Sequence, residues 1–140
     1  MEDNKNKRGV KNTMALERIL IVEDNFLIAE GIRRTLTDAG YEVVGMAGQT
    51  ESAEELAREY AVDLAIVSLK LEADMDGVRT ATYLQRKHDM KILITTGFND
   101  SVVDQSVGNA TTWPCLRKPF SDAELLTAVS ACLAQSGRDP

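Results

Sequence analysis

Residues 19–25, Ile-Leu-Ile-Val-Glu-Asp-Asn, decide the fold of this chain. Four consecutive aliphatic side chains without alternation mark a strand covered on both faces, not one with a wet side. Two carboxylates follow at once, and then Asn25, whose side chain can accept from the free N–H groups of a helix start. Ile28, Ile32, Leu36 and Ala39 then recur at helical spacing until Gly40 stops the run. The unit is a buried strand, a short acidic turn and an amphipathic helix.

The rest of the chain repeats that unit. Tyr41-Glu42-Val43-Val44 reads as a second strand, and residues 51–60 as a helix with Ala53, Leu56, Ala57 and Tyr60 on one face. Leu64-Ala65-Ile66-Val67 is a third buried strand, followed by an acidic loop and a helix from Val78 to Lys87. Ile92-Leu93-Ile94 makes a fourth strand, with a weakly encoded helix over Asn99 to Val107. Leu116 centres a brief fifth strand, and Ser121 caps a last helix striped by Leu125, Val129 and Leu133. Five strand–helix units with short connections predict an α/β fold, a doubly wound five-stranded parallel sheet. Residues 1–17 read as a flexible tail, 18–134 as the folded domain and 135–140 as a flexible C-terminus.

Composition bounds the function. The 140 residues carry 16 Lys+Arg against 22 Asp+Glu, a net charge of −6, with 44% hydrophobic and 27% charged side chains. That is the size and balance of one globular domain. No apolar run is long enough to span a bilayer, and no signal-peptide stretch follows the basic N-terminus, so no membrane is expected. Cys115 and Cys132 lack CxxC spacing and argue for a reducing compartment, which places the chain in the cytoplasm. A sequence pI near 4.8 speaks against nucleic acid as a partner.

Open α/β sheets put their sites at the carboxyl ends of the strands. After the first strand stand Glu23 and Asp24, paired carboxylates that suit a shared cation or, equally, a solvated loop. After the fourth come Thr95, Thr96 and Gly97, a hydroxyl beside a residue with no side chain, which suits an anion. After the fifth, Lys118-Pro119-Phe120 presents one positive charge toward the same point. Each fragment is weak alone; the ordered set is strong.

With these residues in place the sequence resembles the receiver domain of two-component response regulators. The matching stretches are ILIVEDN at 19–25, DLAIVSLKLEADMDG at 63–77, ITTG at 94–97 and LRKPF at 116–120. The resemblance implies the flavodoxin-like (βα)5 receiver fold and Mg2+ held by Glu23, Asp24 and the backbone carbonyl of Lys70. It implies phosphoryl contacts from Thr96 and Lys118, and a phosphoacceptor Asp ending the third strand. At that position this chain has Ser68. Asp63 before the strand and Asp76-Gly77 after the loop fix the register, and Glu72, Asp74 and Asp76 lie too far along to substitute.

The consequences are chemical. An acyl phosphate on Asp is labile, whereas a phosphate ester on Ser is stable, and Ser needs a base to take its proton. With two carboxylates in place of three, Mg2+ binding is expected to be weak, and Lys118 is expected to pair with Asp24. The chain is therefore expected to have lost self-catalysed phosphoryl transfer and hydrolysis, and it is not expected to be an enzyme. It is either a native pseudo-receiver or a variant of an Asp-bearing parent altered to block phosphorylation. Where many receivers place a switching aromatic, this chain has Cys115; Phe98 is the other switch candidate.

Other chemistries fit less well. Ser68 lacks the G-x-S-x-G turn of a hydrolase, and His88, the only histidine, reads as solvated at a helix end. The loop Glu72-x-Asp74-x-Asp76-Gly77 half resembles an EF-hand, but its twelfth position is Tyr83. No Gly-rich nucleotide motif occurs, and both cysteines read as buried small hydrophobes. Two readings stay open. The first is a single-domain receiver taking its signal from a sensor histidine kinase or phosphotransfer protein and passing it to a downstream regulator protein. The second is a phosphorylation-independent protein–protein binding module docking through its fourth and fifth units. No DNA-binding output domain is expected after about Ser130, so a stand-alone regulator is expected to act by contact with other proteins.

Overall fold

The computed structural model describes residues 16–71, 76–97 and 113–135. Its elements run β1 (Arg18–Val22), α1 (Phe26–Asp38), β2 (Glu42–Ala47), α2 (Thr50–Glu59), β3 (Leu64–Ser68), α3 (Asp76–His88), β4 (Lys91–Thr96), β5 (Cys115–Arg117) and α4 (Asp122–Ala134). The strands form one parallel sheet in the order β2-β1-β3-β4-β5, the doubly wound architecture expected. The helix expected over Asn99–Val107 lies outside the described residues.

The continuous aliphatic runs are used on both sides. Ile19, Ile21, Leu64, Ile66 and Leu93 pack under Ala29, Ile32 and Leu36 of α1 and Leu125, Val129 and Cys132 of α4. Their neighbours Leu20, Val22, Ala65, Val67, Ile92 and Ile94 face the other way, onto Ala53 and Ala57 of α2 and Ala81 and Leu84 of α3. Side chains alternate across a strand, so a strand with helices on both faces must be apolar at every position. Burial pushes the Cys132 thiol up in pKa, and Cys132 behaves as the small hydrophobe expected.

Local signals set the element ends. The Asn25 side chain accepts from the Ile28 N–H at 3.1 Å and caps α1. At its other end Gly40 adopts φ +100, its N–H reaching the Thr37 carbonyl while the Tyr41 N–H reaches Leu36. This is the left-handed glycine cap that satisfies the last free carbonyls. Tyr41 is spent on that cap, so β2 begins at Glu42, one residue later than its apolar pattern suggests. It also runs further, to Ala47, because the β1–β2 register slips between Ile19 and Leu20 and carries the strand through Gly45. A Cβ at Gly45 would stand 2.8 Å from Leu56 Cδ1, so the Leu56 side chain of α2 packs directly over the glycine. Ser121 caps α4 in a reciprocal box with Glu124, and the Lys91 ammonium donates to the Leu133 and Gln135 carbonyls at the far end.

Candidate functional site

The carboxyl ends of β1, β3, β4 and β5 bring Glu23, Ser68, Thr96 and Lys118 to one edge of the sheet. Glu23 extends the β1 ladder by one residue, its N–H donating to the Ala47 carbonyl at 2.8 Å. That turns its side chain inward, and the residue is 6% exposed. The next residue, Asp24, points outward and is exposed. The Asn25 N–H donates to Glu23 Oε2 at 3.0 Å, so the residue that caps α1 also fixes the carboxylate.

Ser68 is the last residue of β3 and is 2% exposed. It pairs with Thr95 across the ladder, and the Leu69 N–H continues it to the Thr95 carbonyl at 2.9 Å. Its hydroxyl donates to the Lys70 carbonyl at 3.2 Å. Gly77 makes the site possible from the other side: a Cβ there would stand 2.2 Å from the Ser68 carbonyl oxygen and 2.5 Å from that of Leu69. The first turn of α3 thus packs directly on the end of β3, and only a glycine permits that approach.

Lys118 closes the cluster. Its N–H donates to the Thr96 carbonyl at 2.7 Å, placing the side chain over the strand ends, and the Lys118–Pro119 peptide is cis. The ammonium lies 3.0 Å from Glu23 Oε1 and donates to Ser68 Oγ at 3.4 Å. The pairing expected with Asp24 is therefore corrected: Lys118 meets Glu23. The reason is direction, because of two adjacent residues at a strand end only one can face the core. Thr96 is buried beside this cluster at 3% exposure.

Other expected residues fall elsewhere. Phe98, Glu72 and Asp74 lie outside the described residues, as does the Asp76 side chain. Cys115 is exposed on the three-residue edge strand β5, with its Sγ 3.8 Å from the Trp113 carbonyl, so the reading of it as buried is corrected. An edge strand turns alternate residues outward, and Cys115 and Arg117 take those positions. His88 is also not solvated as expected. It is half-buried, edge-on to Tyr83 with ring centroids 5.6 Å apart, and its Nε2 has no hydrogen-bond partner among the described residues. Burial, then the Arg58 and Lys87 charges, hold its pKa below the ordinary histidine value. Asn25 and Gly77 are the supports whose roles the motifs did not disclose. Both were visible as a cap and a loop-closing glycine, without sign of what they touch.

Among the described residues no group of three or more His, Cys, Asp or Glu side chains could hold a metal ion. Nor does any helix there have the length and apolarity to cross a membrane.

The comparisons with known proteins agree with this fold. The family model of the response regulator receiver domain matches residues 19–130. The chain belongs to that family. The receiver domain is 32% identical over 118 residues to the transcriptional regulatory protein PdtaR of Mycobacterium tuberculosis, covering 84% of this chain and 57% of PdtaR. It thus spans little more than half the length of that relative. Among solved structures it is similar to the receiver domain of a modulated diguanylate cyclase from Desulfovibrio desulfuricans G20, with TM-score 0.76, 30% identity, and coverage of 84% of this chain and 94% of that one. A CheY-like receiver domain protein from Methanospirillum hungatei JF-1 gives TM-score 0.74 at 27% identity, with the same coverage. Receiver domains belong to two-component signalling and are not generally enzymes beyond transferring a phosphoryl group to themselves. They work with histidine kinases or phosphotransfer proteins and with effectors, and they generally bind Mg2+ at an acidic pocket.

Proposed function

We propose that Ser68 occupies the phosphoacceptor position and that this receiver domain signals without an acyl phosphate. On this reading Glu23, Asp24 and the Lys70 carbonyl stand where the family handles Mg2+, and Thr96 and Lys118 where it contacts the phosphoryl group. The observation that carries the reading is the pair of hydrogen bonds made by Ser68 itself. Its one hydroxyl hydrogen is directed at the Lys70 carbonyl, and its oxygen accepts from the Lys118 ammonium. A nucleophilic serine needs a base on its proton and a lone pair facing the electrophile. Here the proton meets an amide carbonyl, which is no base, and the oxygen faces a cation.

The chemistry is the same whether the serine is native or replaces a parental aspartate. Mg2+ binding is correspondingly weak, since two carboxylates remain and Mg2+ relies on carboxylate charge plus its own waters. The partners on this reading are cytoplasmic proteins: a sensor histidine kinase or phosphotransfer protein, and a downstream regulator. The closed state of the Ser68 cluster also favours the second reading, a binding module whose docking does not wait for phosphorylation. Incubation with acetyl phosphate and Mg2+ followed by intact-mass measurement tests the proposal. The expected mass is that of the unmodified chain; a phosphoryl adduct overturns the reading.

A further inference from the structure

The acidic corner carries a cation of its own. We propose that the Lys118 ammonium is its resident counter-ion, fastening the end of β5 to the end of β1, so that the domain keeps its ground state without Mg2+. This inference rests on the reading of Ser68 as the phosphoacceptor position, because a serine there leaves Lys118 without a third carboxylate.

Two of the three groups that the family offers to the metal, Glu23 and the Lys70 carbonyl, are already engaged within the chain. Both oxygens of Glu23 have donors, Oε1 from Lys118 at 3.0 Å and Oε2 from the Asn25 N–H at 3.0 Å. The Lys70 carbonyl accepts the Ser68 hydroxyl. Ser68 contributes no charge, and Asp24 stands exposed at the rim. Magnesium demands near-octahedral oxygen ligands and draws its affinity from carboxylate charge. To reach Glu23 it must displace an ammonium already seated there, and the two cations repel at that distance. The residues present therefore do not fit the metal as a resident group; they fit the lysine.

The sheet order gives the contact its structural weight. β1 and β5 are separated by β3 and β4, and Glu23 and Lys118 lie 95 residues apart in sequence. One ammonium thus spans the sheet edge, touching Ser68 of β3 on the way. The Glu23 side chain is 4% exposed, so the carboxylate has little water to turn to if the lysine is removed.

Thermal unfolding of wild type and Lys118→Met, each with EDTA, with about 10 mM MgCl2, and with NaCl of matched ionic strength, tests this directly. Wild type is expected to melt within about 1 °C in all three conditions. Lys118→Met is expected to melt lower in EDTA and to regain about 4 °C with MgCl2 but not with NaCl, the response of a folded state that has gained a metal site. A magnesium-dependent rise in wild type, or a Lys118→Met protein indifferent to magnesium, overturns the proposal. If the variant fails to fold, the wild-type amides of Glu23, Asp24 and Ser68 are followed by NMR during an MgCl2 titration. Absence of saturable shifts supports the resident lysine, and saturation below about 1 mM overturns it. Failure of the Ser68 reading has a separate signature, a phosphoryl adduct in the acetyl phosphate assay, which leaves the melting comparison unaffected.

Discussion

Two glutamates seven residues apart meet cations in opposite ways. Glu23 is buried at the end of β1 and takes Lys118 from the far end of the sheet. Glu30 lies on the outer face of α1 and takes Arg33 from the next turn, with side chains 31% and 38% exposed. The helical pair forms wherever the helix forms, is screened by water and salt, and holds nothing else in place. The buried pair exists only when β1, β3 and β5 are assembled, and its carboxylate, 4% exposed, has little solvent to fall back on. The same chemistry is a surface ornament in one region and a tertiary bond in the other.

Perturbations graded by burial should break that contrast in order. Gly77→Ala forces a methyl group to 2.2 Å from the Ser68 carbonyl, and backbone must move; a loss of roughly 3 kcal/mol in urea unfolding is expected. Lys118→Met leaves the Glu23 carboxylate buried and unpaired. Because the lysine side chain is 22% exposed, the cost should fall just below the roughly 3–5 kcal/mol of a fully buried pair, at about 2–3 kcal/mol by the same measurement.

His88 gives a smaller, pH-dependent effect. Its folded pKa lies below the ordinary 6.5, so the unfolded chain binds the proton more readily. The stability it contributes is complete above pH 6.5 and declines as pH falls from there toward the folded pKa. Tyr83, Glu54, Arg58 and Lys87 are the groups that surround it. Comparing melting at pH 7.5 and 5.5, His88→Gln should lose less on acidification than wild type.

Glu30→Gln should leave the urea midpoint unchanged in ordinary salt. The Arg33 hydrogen bond holds the Glu30 pKa below the usual carboxylate range, so whatever it contributes is present at neutral pH and lost in acid. A Glu30 effect as large as that of Lys118 would erase the distinction between the two regions.

The sequence disclosed the parts of this molecule that follow from local pattern. Strands covered on both faces are apolar throughout, so β1, β3 and β4 were legible, as were the Asn25 and Ser121 caps. The end of β2 was not, because a register slip and Gly45 break its periodicity, and Gly45 faces Leu56 on another element. At the site, the motif residues could be named but not their partners. Whether Lys118 takes Glu23 or Asp24 depends on which side chain faces inward, which the ladder to Ala47 decides. Cys115 and His88 were misread for a related reason: exposure on an edge strand or at a helix end is set by what packs alongside.

The central claim is that one side chain, Ser68, separates this receiver domain from phosphoryl chemistry while the surrounding groups stay in place. Ser68→Asp, incubated beside wild type with acetyl phosphate and Mg2+ and read by intact mass, tests it most directly. The account predicts a phosphoryl adduct on the variant that does not form when EDTA replaces Mg2+, and none on wild type. An adduct on wild type, or a variant that stays unmodified, would contradict it.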